Sequence, residues 1–449
     1  MEFLNNFVLP QSSEHIELLH YMLFIVLFLF IPFIGVVFGG TLLSVIYRIK
    51  GEKNKENFYL RIAKDISEIT TINKSVGFIL GIAPIITAIL IYAQLLHNSE
   101  VTNLNYLILS LISVIVALIF IYSYRYSLSF NRIFNSIIEK KQDDPTIVDD
   151  VNKLNEESLR ISSKGGIYGL IFLFLGLWFF VTALTIPTLY QSWKIEDFLS
   201  GLFAFDVLVR FILYLLFAIV LAGGMVLFSF LEDEKKQKSN EEYSAFVKNK
   251  IVRKVFSAAV FIPIFLLIAI FGLPESSLTG TVFFYAIVSI GLLFLGLHFL
   301  YLLTKEKRGK IASLVLLVFI FSVATFIISD QKAMATATKF HSASLSAEFD
   351  KYLAELKGEG KTVTINAAEL YQVKCASCHK WDEKLVGPPH LEVLPKYVGK
   401  EQQLVSFIRN PIKVNPDYPP MPNPGLKPNE ADALAKYLLE TYSEKTGQK

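Results

Sequence analysis

The stretch Cys375-Ala376-Ser377-Cys378-His379 decides the fold of the C-terminal part of this chain. C-x-x-C-H is the attachment signature of covalent haem, in which two thiolates add across the vinyl groups and the histidine becomes the proximal iron ligand. The alternatives are half of a zinc site, which needs further Cys or His ligands, and a redox dithiol, which does not need the histidine. No other cysteine occurs in the 449 residues. We therefore predict one covalent haem on Cys375 and Cys378, with its iron bound to His379.

The overall composition indicates a membrane protein. Apolar residues make up 53% of the chain and charged residues only 18%, with a net charge of +3. This balance favours membrane helices, with the lipid bilayer as a partner, and implies no nucleic-acid partner. No Lys or Arg precedes Arg48, and the first apolar run is too long for the core of a signal peptide, so we expect no cleaved leader.

Apolar runs long enough to cross a bilayer recur eight times, since about 20 residues are needed for one span. Pro32 and Gly39-Gly40 lie inside the first run and are expected to allow a kink and a close helix contact. The runs, of which the sixth is the shortest, lie at about 17–47, 75–97, 104–124, 166–190, 203–230, 255–273, 281–304 and 311–329. The sequence thus predicts an all-α, polytopic membrane protein of eight transmembrane helices.

Lys and Arg are distributed unevenly between the segments that connect the apolar runs. The segments 48–74, 125–164, 231–254 and 305–310 carry 25 of them, whereas the alternate segments carry only Lys194. Cytoplasmic loops are enriched in Lys and Arg, so we predict eight spans in a bacterial inner membrane with both termini on the periplasmic side. This topology places the haem segment outside the cytoplasm, where such haem is attached.

An internal repeat with an offset of 184 residues favours two four-helix halves, a 4+4 pseudo-repeat, although chance similarity of apolar helices is the alternative. Its members are Gly39, Gly40 and Tyr59, which recur as Gly223, Gly224 and Tyr243. The helix at 75–97 then corresponds to 255–273, and 104–124 to 281–304. We predict an outer N-terminal segment 1–15, four-helix units 16–193 and 203–330, a linker 331–361 with a short amphipathic helix at about 345–356, and an all-α C-terminal domain 362–449.

Within the C-terminal domain, further motifs follow the C-x-x-C-H sequence. A helix over 365–379 is expected to deliver it, and Pro388 in a Gly-Pro-Pro turn can offer its carbonyl to Nδ1–H of His379. A proline-rich loop then contains Met421, the only methionine of the domain, and an amphipathic helix is expected over 428–443.

These motifs resemble a class I cytochrome c over about 364–443. In that family the methionine of such a loop is the distal iron ligand, which falls on Met421 here, with His390 as the alternative. The resemblance implies electron transfer by a His/Met haem, a ligand pair that raises the reduction potential relative to two histidines.

Few ionisable residues lie in the apolar runs. His20 opens the first span and His97 closes the second, both at the outer edge of the membrane. Two imidazoles at one depth can bind a b-type haem, or can lie at the headgroup level bonded to water. Asp206 and Arg210 are four residues apart on the fifth span, and we expect them to pair with each other.

The membrane part also resembles, more weakly, the large subunit of cytochrome bd-type quinol oxidases and its relatives with a fused C-terminal haem c. His20, the paired glycines, the basic loops and the repeat carry the likeness, which implies haem b on His20. The family's second haem-binding histidine is replaced near Leu213, and the loop 274–280 is short for a quinol-binding loop. Oxygen reduction by this chain alone is therefore not expected.

We accordingly expect a membrane-bound c-type cytochrome subunit of a respiratory electron-transfer complex, with no catalytic residue of its own. Its expected partners are other subunits of that complex and an electron donor or acceptor on the quinol or cytochrome side. The alternative is a bd-like quinol oxidoreductase subunit with an additional haem b at His20. A stand-alone tethered carrier is disfavoured because one span would suffice as a tether.

Overall fold

The computed structural model describes residues 11–97, 99, 103–139, 145–189, 198–232, 241–305, 309–357 and 365–447. Over these ranges every regular element is a helix and none is a strand, which confirms the predicted all-α class. In chain order the helices are α1 (Ser13–Asn54), α2 (Asn57–Thr70), α3 (Lys74–Leu95), α4 (Asn103–Glu139), α5 (Pro145–Thr185), α6 (Phe198–Leu202), α7 (Phe205–Glu232), α8 (Glu241–Phe271), α9 (Gly280–Lys305), α10 (Gly309–Ala337), α11 (Lys339–Leu356), α12 (Ala367–Lys374), α13 (His390–Val393), α14 (Glu401–Arg409) and α15 (Pro428–Thr446).

Eight of the described helices, namely α1, α3 to α5 and α7 to α10, are long and apolar enough to cross a membrane, as predicted. Several extend beyond their apolar runs, and α8 begins at Glu241 instead of near residue 255. The sixth span, expected to be the shortest, is therefore the second half of a helix of 31 residues. Its charged first half is helical too, because Glu241 and Glu242 in the first turn complement the helix dipole.

The membrane helices carry apolar side chains on all sides, as expected for helices that pack on one face and meet lipid on the other. Phe30, Phe180 and Phe319 are buried between helices. Ile79 and Phe284 are at least 60% exposed, and they would contact acyl chains in a bilayer.

Glycines allow close contacts between these helices, as the sequence predicted for the first span. A Cβ at Gly39 of α1 would overlap the carbonyl oxygen of Ala218 on α7. A Cβ at Gly223 of α7 would overlap the side chain of Val255 on α8. Small residues are common at membrane helix interfaces because they let two backbones approach.

The expected pairing of Asp206 with Arg210 is wrong. Arg210 instead forms an ion pair with Asp330 of α10, and both side chains are about 2–3% exposed. Asp206 lies close to Gly272, at the end of α8. The apolar run predicted for the eighth span stops just before Asp330, but α10 continues to Ala337 and so carries this carboxylate to Arg210.

Packing divides the chain into two compact units. The membrane unit comprises His20–Tyr92 and Val101–Ala337, and the C-terminal unit comprises Met1–Leu19, Ala93–Glu100 and Thr338–Lys449. This division does not separate the two predicted four-helix halves, and the repeat and the domain limits stay predictions.

The described part of the segment predicted as a linker, residues 331–357, is helical over most of its length. The last turns of α10 occupy its beginning, and α11 follows. Leu345 of α11 is buried, and Asp350 accepts a hydrogen bond of 2.9 Å from Nη2 of Arg409 on α14. Helix α11 is thus packed against the following domain, an interaction that a local sequence pattern does not reveal.

The C-terminal unit has its own apolar core, which α12, α14 and α15 share. Helix α15 begins at Pro428, as predicted, because proline is pre-organised for the first helical position and Glu430 bonds back to the backbone N–H of Lys427 at 2.9 Å. The buried members of this core are Tyr371, Cys375, Leu394, Leu404, Val405, Ile408, Leu426, Ala431, Leu434, Ala435, Leu438 and Tyr442.

Candidate haem site

The C-x-x-C-H sequence lies in a tight turn at the end of α12. The helix begins after Asn366, whose side chain accepts the backbone N–H of Glu369, and it ends at Lys374, so the helix predicted over 365–379 is shorter than expected. The backbone N–H groups of Cys378 and His379 both donate to the carbonyl of Cys375, at 3.0 and 2.9 Å. The turn therefore holds the two cysteines and the histidine together in one compact loop.

The ring of His379 is oriented by the Gly-Pro-Pro turn. Its Nδ1 lies 3.0 Å from the carbonyl oxygen of Pro388, and with the proton on Nδ1 the ring donates this hydrogen bond. The backbone N–H of Gly387 donates to the carbonyl of Cys378 at 2.8 Å, which fixes the turn against the motif. Nε2 of His379 is then the nitrogen that can bind a metal, and the carbonyl raises its basicity.

Gly387 lies against the face of this ring. A Cβ at this position would collide with Cε1 and both nitrogens of His379. Glycine is therefore required here because a side chain would not fit. The backbone conformation does not require it, since the φ angle of Gly387 is not positive.

A cavity of about 430 Å³ opens beside His379. Cys375, His379 and Met421 line it together, although they come from two separate stretches of chain. Apolar side chains line much of the rest, among them those of Leu394, Leu404, Phe407, Ile408 and Leu438. A site of this size with apolar walls and a few convergent polar groups fits an organic cofactor.

Cys375 is buried at 6% exposure, whereas Cys378 is partly exposed. Burial, followed by the charge of Cys378, raises the pKa of Cys375 to about 11. Redox-active dithiols and metal-binding cysteines have a lowered pKa. The environment of Cys375 thus argues against the dithiol alternative.

His390 lies beside His379 and not across the cavity from it. The two rings stack with centroids 5.1 Å apart and an interplanar angle of 24°. Burial, and secondly His379, lower the pKa of His390 to about 4, so this ring is neutral near pH 7. Because the two rings stack on one another, His390 would not face His379 across a haem held in the cavity, and this placement argues against His390 as the distal ligand.

Met421 lies in a loop without regular structure between α14 and α15. Asx-type hydrogen bonds of 2.9 Å shape the loop on both sides, from the N–H of Asp417 to Asn415 Oδ1 and from the N–H of Gly425 to Asn423 Oδ1. Such local bonds stabilise one conformation of the proline-rich segment without a helix or a strand. The loop brings Met421 to the wall of the cavity.

Comparison with known proteins identifies the domain. The family model described as "Cytochrome c" matches residues 365–441. Cytochrome c-551 of Pseudomonas denitrificans is 40% identical over 76 residues, which cover 16% of this chain and 92% of that protein. The chain belongs to the cytochrome c family. The c-551 protein of Azotobacter vinelandii is 39% identical over 75 residues, which cover 16% of this chain and 92% of that protein. The c-551 protein of Pseudomonas aeruginosa is 35% identical over 68 residues, which cover 14% of this chain and 65% of that protein.

The protein is therefore a haem c electron-transfer protein with membrane-spanning helices. The predicted cytochrome c resemblance is confirmed. The membrane helices lie outside the matched residues, and the resemblance to bd-type oxidases stays a prediction.

The two histidines predicted for haem b belong to different units. His20 lies on α1 in the membrane unit, and its side chain is partly exposed. His97 belongs to the C-terminal unit and is buried at 5% exposure. The imidazole of His341 on α11 hydrogen-bonds the backbone of His97, and burial lowers the pKa of both histidines. A haem b at His20 or His97 stays a prediction.

The sequence also gave no indication of the aromatic packing around His390. Tyr371 and Trp381 contact this ring at centroid distances of 5.5 and 5.1 Å, and the Tyr371 hydroxyl donates to the carbonyl of His379 at 3.2 Å. Tyr371 lies four residues before Cys375, at helical spacing from the motif, which is the one local signal that could have indicated this contact.

Replacing Gly387 with alanine is expected to displace the His379 ring in the cytochrome c domain. Overpacking of this kind costs about 1–3 kcal/mol of unfolding free energy. We expect a lower midpoint of thermal unfolding and a fraction of high-spin iron in the absorption spectrum. Gly399→Ala is the control: its Cβ would meet nothing within 4 Å, so its spectrum should stay that of the wild type despite its φ of 73°. Equal spectra for both variants would contradict the packing described.

Proposed function

We propose that this chain is the cytochrome c subunit of a membrane respiratory complex, and that it relays electrons through one His/Met haem on the periplasmic side. The observation that carries the proposal is the shared cavity wall of His379, Met421 and Cys375. A nitrogen ligand, a thioether ligand and a covalent attachment point thus meet at one site that has apolar walls.

Haem held here supplies one-electron exchange at its iron. Cys375 and Cys378 attach it, and Pro388 holds His379 in the tautomer whose Nε2 can bind the metal. Met421 offers a soft thioether sulfur, which stabilises the reduced form relative to a second imidazole. Apolar side chains such as Leu404 and Leu438 exclude water, which also favours the state of lower charge.

The membrane part supports a subunit and not a tethered carrier. Eight candidate spans exceed what an anchor requires. Their outward faces and the helix bundle offer surface for lipid and for other subunits. The strong bias of Lys and Arg to alternate connecting segments supports a periplasmic position for the cytochrome c domain.

A cofactor and subunit inventory of the protein purified in mild detergent tests this proposal. We expect a pyridine haemochrome spectrum with one haem c per chain and co-purifying subunits at fixed stoichiometry. Haem b in equal amount would support the bd-like quinol oxidoreductase alternative instead. A chain that purifies alone in every mild detergent would contradict the role as a subunit of a complex.

A further inference from the structure

Two cavities open on the surface of the membrane unit, each between two neighbouring helices. The first, here called the α8–α9 groove, measures about 440 Å³. Lys248 and Arg253 of α8 line it together with Phe256, and Tyr301 and Thr304 of α9 close the other side. Lys248 is 9% exposed, so its side chain packs within the protein and does not extend into solvent.

The second, the α3–α4 groove, measures about 510 Å³. Lys74 and Phe78 of α3 line it, and Tyr122 and Tyr126 of α4 face them. The rings of Phe78 and Tyr122 stack with their centroids 5.8 Å apart, so aromatic side chains from both helices meet in this groove. Arg125 lies nearby, with its guanidinium 5.8 Å from the ring of Tyr126.

The two grooves have the same chemistry. Each combines at least one cationic side chain with tyrosine rings and with hydroxyl groups, those of Ser257 and Thr304 in one and Ser75 in the other. Each also lies at the helix ends that adjoin the Lys- and Arg-rich segments. Tyrosine is enriched at the headgroup level of membranes, and basic side chains there attract anionic lipids.

Under the predicted offset of 184 residues, the α8 side of one groove does not correspond to the α3 side of the other, because Lys248 and Arg253 fall on positions 64 and 69 of α2. The same offset places α3 on the second half of α8, and the following helix α4 on α9. Two pairs of helices with different sequences carry the same type of groove at the same end, and the predicted repeat does not relate them.

Both grooves continue into exposed apolar surface that leads along the helices. On α8 the exposed side chains of Phe256, Val260 and Ile264 are spaced by four residues and form one stripe. On α4 the exposed side chains of Ile119 and Ile112, one of which lines the groove, form the corresponding stripe. A free phosphate ion would leave such an apolar stripe exposed, whereas the acyl chains of a lipid would cover it.

We propose that each groove binds the phosphate group of an anionic phospholipid, with the acyl chains lying along the adjoining apolar stripe. Lys248 and Arg253 hold the phosphate in the α8–α9 groove, and Lys74 holds it in the α3–α4 groove. The hydroxyls of Ser257 and Tyr301 in one groove and of Ser75 and Tyr126 in the other donate hydrogen bonds to the remaining phosphate oxygens. Those of Thr304 and Tyr122 already donate to backbone carbonyls. This role is independent of the haem, and it ties the stability of the helix bundle to the lipid composition of the membrane.

Native mass spectrometry of the whole protein in mild detergent tests the proposal, with phosphatidylglycerol, phosphatidylcholine and inorganic phosphate as probes. We expect two phosphatidylglycerol molecules per chain to be retained. Lys248→Gln with Arg253→Gln should weaken one site about thirtyfold, and Lys74→Gln should weaken the other about fivefold, at roughly 1 kcal/mol per basic side chain. The exposed pair Lys53→Gln with Lys55→Gln, at the end of α1, lines neither groove and should retain both lipids.

A charge-preserving pair separates loss of the site from loss of the fold. Lys248→Arg with Arg253→Lys should keep both lipids and the elution volume of the wild type. The proposal is overturned if phosphatidylcholine binds as tightly as phosphatidylglycerol, or if millimolar inorganic phosphate displaces the lipid. It is equally overturned if the glutamine variants fold and still retain two lipids.

Discussion

Met421→Ala is expected to lower the reduction potential of the cytochrome c domain by on the order of 100 mV, since axial ligands set haem potentials over a range of about 0.8 V. The oxidised protein should also lose the far-red charge-transfer band of a thioether sulfur bound to ferric haem. Both effects follow from the position of Met421 in the wall of the cavity that His379 lines. Redox titration monitored by absorption measures them together.

Ile412→Ala is the matched control for this experiment. Ile412 lines the same cavity but carries no ligand atom, so its truncation enlarges the site without removing a bond to iron. We expect its band to persist and its potential to shift by much less than that of Met421→Ala. A wild-type protein without the band, or a Met421→Ala variant that keeps it, would show that the distal ligand is another residue.

The second large effect is expected in the membrane unit, at the ion pair of Arg210 with Asp330. Asp330→Ala leaves the guanidinium of Arg210 buried without its counter-charge. Breaking a buried pair in this way costs about 3–5 kcal/mol, because the remaining charge is neither hydrated nor paired. We expect a strongly lowered unfolding midpoint in detergent, measured by fluorescence or by loss of monodisperse protein.

Two further variants decide whether the pair itself is responsible. The double variant Arg210→Leu with Asp330→Leu removes both charges and should recover most of the lost stability. Asp206→Ala removes the carboxylate four residues before Arg210, which the ion pair does not use, and should change stability by less than about 1 kcal/mol. A loss for Asp206→Ala as large as that for Asp330→Ala would mean that the sequence-based pairing is right after all.

Local patterns predicted much of the fold. The number of spans followed from the length of the apolar runs, and the start of α15 followed from Pro428 and Glu430. The motif around Cys375 and the proline-rich loop of Met421 indicated the cytochrome c domain correctly. Each of these signals lies within a single helix, turn or loop, where residues that are close in the sequence are also close in space.

Contacts between distant segments were not predictable in the same way. Asp330 follows the apolar run of its span and is followed by polar residues, so hydropathy placed it outside the helix. Its partner Arg210 lies 120 residues earlier in the chain. The pairing of Asp350 with Arg409 and the placement of His341 beside His97 have the same origin. Each depends on tertiary packing that no local pattern records.

The central claim is that the two cysteines hold one haem covalently. Mass spectrometry of the peptide that contains Cys375 to His379 tests it directly, using protein made in a host that matures c-type cytochromes. We predict a single peptide heavier by one haem, with no free thiol at Cys375 or Cys378. The same peptide with both thiols free and no added mass would contradict the account.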